Sequence, residues 1–201
     1  MNDIKITNLS KKFDEKIIFD NIDFLFKKGN FYLISGKNGC GKTTLLNILA
    51  GYIDDYDGRI SVDGRVSYLF QDELLFSNLT VRENLLIKLA IFEHENKNIK
   101  IDNVLQQLKI NHLADKKIHL LSGGERQRVE LALILLDNPD IILLDEPLTK
   151  LDNENKLNII KTIEDVFKGK TIIIVTHEKQ ILNNNYIKLT LEDGKIKEDE
   201  L

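Results

Sequence analysis

The sequence predicts an α/β fold with a mostly parallel sheet at its core, an N-terminal antiparallel β layer and a helical insertion. Three observations predict it. The runs Ile141–Leu144 and Ile172–Val175 are unbroken and apolar, as strands buried on both faces of a parallel sheet require. Residues 4–34 instead alternate apolar and polar positions between charged turns, the period of half-buried strands. From Val81 to about Leu121 apolar residues recur at helical spacing, as in Leu85, Leu86, Leu89 and Phe92 and again in Val104, Leu105 and Leu108.

The elements follow in order. The stretch from Ile17 to Phe24 alternates within the β layer. Phe31–Ile34 reads as a buried strand and Leu45–Ala50 as a helix ended by Gly51. Arg59–Val62 is a short strand between the turn pairs Asp57-Gly58 and Asp63-Gly64. Val66–Phe70 is another strand, running into Gln71. The insertion's helices are separated by the polar run Glu93–Asn98. A helix over 124–136, a strand over 141–145, a helix over 153–167 and a strand over 171–176 follow. The chain then closes in a hairpin, 186–191 and 195–197 about Asp193-Gly194. We expect one domain over residues 1–201, with 1–71 and 122–201 forming the core and its β layer and 72–121 the helical subdomain.

Composition limits the functions open to it. At 201 residues there is enough chain for one core, and a second globular domain is not expected. The formal net charge of −4 supplies no basic surface, which counts against nucleic acid as the main ligand. The single cysteine, Cys40, excludes a disulfide within the chain and suits a reducing compartment. The first residues lack the basic head and apolar stretch of a signal peptide. No uninterrupted apolar run is long enough to span a bilayer, so we expect a soluble protein that others must hold at any membrane.

Two motifs carry chemistry. Gly36-Lys37-Asn38-Gly39-Cys40-Gly41-Lys42-Thr43-Thr44 matches the phosphate-loop pattern G-x-x-x-x-G-K-[ST], between an expected strand and an expected helix. Backbone N–H groups of such a loop converge on phosphate oxygens, and the helix presents its positive end to the same charge. Lys42 is expected to reach the β- and γ-phosphates and Thr43 to ligate Mg²⁺. The fold implied is a P-loop NTPase core. Second, Ile141–Leu144 delivers Asp145 and Glu146 to a strand's end, where α/β sheets bind ligands. Asp145 can hold Mg²⁺ and Glu146 can orient or deprotonate an attacking water. A helix N-cap helped by Pro147 is the alternative reading of this pair taken alone.

The run Leu121-Ser122-Gly123-Gly124-Glu125-Arg126-Gln127-Arg128 opens a helix with a hydroxyl and exposed N–H groups. Here the chain resembles the nucleotide-binding domain of ATP-binding cassette (ABC) proteins, and the resemblance runs from Phe13 to the C-terminal hairpin. It implies that Ser122, Gly123 and Gly124 face the phosphate loop of a partner subunit, with two ATP molecules clamped between two such domains. It implies nucleotide contacts for Asn38, Gly39, Cys40, Gly41, Lys42, Thr43 and Thr44. Phe13 matches the aromatic that stacks on adenine, a place in the core being the alternative. Gln71 matches the glutamine that senses Mg²⁺ and the transport partner. Asp152 stands in the loop that crosses the dimer. His177 matches the histidine at the γ-phosphate, where a lone histidine after a strand could equally be structural. Catalysis is thus assigned to Glu146, His177 and Lys42, and metal binding to Thr43, Gln71 and Asp145.

The chain departs from the family pattern at Cys40, at Leu148 where threonine is usual, and at Leu133 where arginine is common. None of these removes a reacting group, although Cys40 leaves a thiol near Lys42. The resemblance implies an ATPase (ATP to ADP and phosphate) that is peripheral on the cytoplasmic face of the cell membrane. Its implied partners are a separate transmembrane permease and a second copy of itself or a related subunit. Residues 71–76 and 79–84 resemble bacterial subunits serving export of a peptide, lipid or drug-like cargo. The rival reading is a non-transport ABC ATPase acting on ribosomes or DNA.

Overall fold

The computed structural model describes residues 3–71, 75–90, 96–149, 151–177 and 186–199. Its contacts divide the chain into two units. The first comprises Met1–Tyr68, Pro139–Pro147 and Gly169–Leu201; the second comprises Leu69–Asn138 and Leu148–Lys168.

The first unit holds two sheets. Strands β1 (Ile4–Phe13), β2 (Lys16–Phe26) and β4 (Asp57–Val62) form an antiparallel sheet in the order β2-β1-β4. Alternation builds its inner face: Ile4, Ile6 and Leu9 are buried, while Lys5 and Lys12 are exposed. The strand expected over 59–62 reaches back to Asp57, which pairs with Ser10 beyond a shift of register. A register shift of this kind bends the pair locally and takes the turn residues into the ladder.

The second sheet runs β5-β6-β7-β3-β8-β9. Its members are β3 (Phe31–Ser35), β5 (Val66–Leu69), β6 (Ile141–Asp145), β7 (Thr171–Val175), β8 (Ile187–Glu192) and β9 (Lys195–Glu198). The pairs β6–β7, β7–β3 and β3–β8 are parallel, and β9 is antiparallel to β8. The runs that predicted parallel strands are buried throughout, Ile141–Leu144 and Ile173–Val175 being wholly inaccessible. Asp193 and Gly194 both have positive φ, the backbone a two-residue hairpin turn demands.

Helix α1 (Lys42–Leu49) follows β3. At its end the amides of Gly51 and Tyr52 donate back to the carbonyls of Ile48 and Asn47, which satisfies carbonyls the helix would otherwise strand.

The second unit is helical, with α2 (Val81–Ala90), α3 (Lys97–Gln107), α4 (Gly123–Leu136) and α5 (Asn153–Val166). The helices α2, α3 and α4 pack together, and α5 packs on α4. Leu85, Leu89, Val104, Leu105 and Leu108 are buried as their spacing predicts, while Phe92 and Glu93–Glu95 lie outside the described residues. On α5 the buried face is Ile159, Ile160 and Ile163.

Candidate functional site

The parallel strands of the first unit end together. Asp145, last in β6, pairs with Val175, last in β7, and Val175 pairs with Ile34 of β3. Three segments distant in sequence therefore emerge at one edge: the glycine loop after β3, Asp145-Glu146 after β6, and Thr176-His177 after β7. This is the carboxyl edge, where open parallel sheets bind ligands.

The loop closes on the helix through Gly41, which has φ +108. A Cβ there would meet Ile18 Cγ2 at 2.5 Å and Phe19 Cε1 at 2.9 Å, so both conformation and space require glycine. The following helix leaves its first-turn N–H groups without intrahelical acceptors, which makes its start a site for anions. Lys42 is buried, and its ammonium donates to the carbonyls of Gly36 (3.0 Å) and Lys37 (3.1 Å). It thus lies folded within the loop whose phosphates it is expected to meet. A cavity of about 330 Å³ opens beside the loop, lined by Ser35–Lys37, His177 and Thr190–Glu192.

Asp145 is buried and receives hydrogen bonds from Thr43 and from the Tyr68 hydroxyl, the latter at 3.3 Å. Burial holds its carboxyl above the usual range, against the pull of those two bonds and of the Lys42 charge. Burial and the neighbouring Asp145 charge likewise push the Tyr68 phenol up. The other carboxylate oxygen, Oδ1, is buried with no hydrogen-bond partner among the described residues. A buried oxygen of this kind beside a threonine hydroxyl fits a hard divalent cation, which takes oxygen donors and completes its shell with substrate phosphates and water.

Glu146 has φ +50, a conformation that costs a non-glycine residue about 1–3 kcal/mol and clusters at working sites. Its amide donates to the carbonyl of Val175 at 2.9 Å, which ties it to the end of β7. Its carboxylate lies 3.2 Å from His177 Nε2 and accepts a long bond, 3.4 Å, from the His177 amide. His177 is half exposed and Glu146 nearly covered.

Phe13 ends β1 with an exposed ring. The buried Lys11 ammonium sits 4.7 Å from the ring centroid, held by the carbonyl and carboxylate of Asp55. Phe13 pairs with Lys16, whose ammonium approaches the Gly39 carbonyl at 3.4 Å. The aromatic is therefore one ladder step from a contact with the loop. Phe13, Asn38–Thr44, Asp145, Glu146 and His177 all belong to the first unit.

Gln71, Ser122–Gly124 and Asp152 belong to the second. Gln71 is exposed, two residues past β5, and residues 72–74 lie outside the described chain. Ser122 caps α4 reciprocally: its Oγ accepts from the Glu125 amide (3.3 Å), and the Glu125 carboxylate accepts from the Ser122 amide (2.8 Å). That amide bond holds the Glu125 carboxyl below its usual range. The cap uses one lone pair of the Ser122 hydroxyl and leaves its O–H to donate. Asp152 caps α5, and the amide and side chain of Asn155 hold its carboxyl below the usual range.

Tyr68, Lys11 and Asn155 escape the sequence reading. Tyr68 meets Asp145 because β5 lies beside β6 in the sheet, an order that no local string states. The other two are recognisable only by their contacts.

Known proteins resemble this chain along most of its length. A family model described as ABC transporter matches residues 19–149. The chain is 32% identical to the spermidine/putrescine import ATP-binding protein of Chromobacterium violaceum, covering 97% of this chain and 58% of that one. It is 37% identical to an uncharacterised ABC transporter ATP-binding protein of Methanocaldococcus jannaschii, covering 87% and 68%. With the Fe(3+) ions import ATP-binding protein of Fusobacterium nucleatum the identity is 33%, covering 88% and 52%. The chain thus spans between about half and two thirds of the length of these relatives. Among solved structures, cbiO1 of Clostridium perfringens, part of the ABC transporter complex cbiONQ, superposes with TM-score 0.88 at 27% identity, covering 96% and 86%. A dimeric ATP-binding cassette in a post-hydrolysis state bound to ADP and Pi superposes with TM-score 0.82 at 27% identity, covering 98% and 97%.

Proposed function

The chain belongs to the ABC transporter family, and on that premise we propose that it binds and hydrolyses ATP to drive a separate membrane permease. One observation carries the chemistry: Asp145, Glu146 and His177 come to the edge of the sheet that also bears the glycine loop. In this reading the triphosphate lies on the amides of Gly39, Cys40, Gly41, Thr43 and Thr44, with Asn38 beside them. Lys42 exchanges its bonds to Gly36 and Lys37 for β- and γ-phosphate oxygens. Thr43 and Asp145 would hold Mg²⁺, which the family resemblance also assigns to Gln71, and the ion would supply neutralisation of phosphate charge. Phe13 stacks the base on its open face.

Glu146 is the general base. It takes a proton from the water that attacks the γ-phosphorus in line, and the bond from that phosphorus to the β-γ bridging oxygen breaks. Lys42 and His177 meet the charge that spreads over the γ-phosphate oxygens. A second copy supplies Ser122, Gly123 and Gly124, whose hydroxyl and helix amides face the γ-phosphate from the far side, with Asp152 in the crossing loop. ATP then favours the closed dimer, and loss of the γ-phosphate favours the open one.

The two importers compared above take up a polyamine and iron. Those cargoes are theirs, and the sequence expectation of peptide, lipid or drug export finds no support among them. We therefore assign this chain the motor role and leave direction and cargo to the permease.

Glu146→Gln tests the chemistry. It keeps the shape and removes the base, so turnover should fall by about 10²-fold or more, while ATP converts monomer to dimer in light scattering. Hydrolysis at the parent rate would remove Glu146 from the mechanism.

A further inference from the structure

Asn155, which no sequence motif singles out, joins two features the proposed function needs to act together. Its backbone amide donates to Asp152 Oδ1 at 2.9 Å, and its side-chain amide donates to Asp152 Oδ2 at 2.8 Å. Both oxygens of the crossing-loop carboxylate are therefore held by one residue. The other end of that side chain lies against α4. A Cβ built on Gly124 would stand 2.7 Å from Asn155 Oδ1 and 3.1 Å from Cγ. Gly124 is buried there, and the side chain fills the space its missing Cβ leaves. One short, half-buried side chain thus touches the Asp152 loop with its nitrogen and the start of α4 with its oxygen end.

We propose that Asn155 is a positioning residue that locks the Asp152 loop to the start of α4, so that both meet a partner subunit in fixed relative position. The inference rests on the dimer reading above. Its physical content is preorganisation. Closure would otherwise order two exposed segments separately, each at a cost in entropy. With Asn155 in place they are already one body.

A purely structural role makes a different prediction. The α5 cap survives removal of the side chain, because the bond from the Asn155 backbone amide to Asp152 remains. What disappears is the link to Gly124 and the second bond to Asp152. Asn155→Ala should therefore fold and bind nucleotide normally as a monomer, yet close poorly. Asn155→Asp keeps the shape against Gly124 but replaces a donor with a negative charge facing Asp152, and should close poorly too.

The test uses the full chain with Glu146→Gln, alone and combined with each Asn155 substitution. Dimer formation is followed by light scattering against ATP concentration, and monomer affinity by fluorescence titration with a labelled ADP. Loss of one such tie should raise the ATP midpoint for dimerisation about three- to tenfold, with ADP affinity and melting temperature close to the parent's. An unchanged midpoint in both variants overturns the proposal. So does a midpoint shift matched by an equal loss of ADP affinity or of melting temperature. If Asn155→Ala fails to fold, Asn155→Asp carries the same test. If the Glu146→Gln parent itself shows no ATP-dependent dimer, the functional reading fails first and this inference falls with it.

Discussion

Asp145 is almost wholly buried, and burial holds its carboxyl above its ordinary value of 3.8. Native Asp145 therefore binds a proton more tightly than the unfolded chain does. Its contribution to stability is fully present below the unfolded value and is lost as pH rises through the folded one. At neutral pH the ionised group opposes folding. Asp145→Asn should then raise the melting temperature at pH 7 by roughly 2–4 °C for each kcal/mol relieved in a chain of this size. The advantage should shrink as the pH is lowered towards the acid range, and Mg²⁺-dependent ATP hydrolysis should be lost. A variant that melts below the parent at pH 7 would contradict this sign. Residues of this kind were legible because the chemistry sits in local strings: Gly36–Thr44 and Ile141–Glu146 state loop, strand and carboxylates in consecutive letters. Tyr68, Lys11 and Asn155 were not. Their partners Asp145, Phe13 and Gly124 are chosen by sheet order, strand pairing and helix packing, which no local string encodes.

At the scale of elements, α2 is anchored through a buried polar residue. Asn84 donates to the carbonyls of Phe76 and Thr80 at 3.2 and 2.8 Å and accepts from the Phe76 amide at 2.8 Å. Beside it Thr80 and Glu83 cap the helix reciprocally, and the Thr80 amide and hydroxyl hold the Glu83 carboxyl below its usual range. The loop after residue 75 is thus fixed to α2 by side chains as well as by the chain itself. Asn84→Leu would take the acceptor from the part-buried Phe76 amide and bury an apolar side chain against the Phe76 and Thr80 carbonyls, which keep their backbone donors. It should destabilise by about 1–3 kcal/mol, seen as a lower denaturation midpoint in urea without a change in slope. A midpoint equal to the parent's would mean that water replaces the lost bonds. Legibility at this scale followed periodicity. The buried runs of β6 and β7 and the apolar stripe of α5 name their own partners, a sheet and a hydrophobic face. Asn84 breaks the apolar pattern of α2, and a sequence gives no way to tell a satisfied buried asparagine from an exposed one.

At the scale of the whole molecule, the proposed function requires contact with a membrane permease. No helix among the described residues is long and apolar enough to cross one. The net charge of −4 disfavours an anionic lipid surface, since attraction to such surfaces needs clustered lysine and arginine. In the proposed function the permease would supply a protein contact instead. The second unit carries exposed apolar side chains at Phe76 and Leu120, and exposed apolar groups of this kind commonly serve in partner docking. Phe76 belongs to the loop that Asn84 fixes, so its ring is presented from a held backbone. The tagged chain, isolated from native membranes in mild detergent, is expected to bring down a multi-span protein. It should not float with protein-free vesicles of anionic lipid. Phe76→Ser should weaken the capture while leaving ATP hydrolysis by the isolated chain unchanged, because the ring is assigned no part in the chemistry. Recovery of ribosomes in place of a membrane protein would remove the transport role. The proposed nucleotide chemistry would stand, since it is assigned to the loop, Asp145, Glu146 and His177 and not to Phe76.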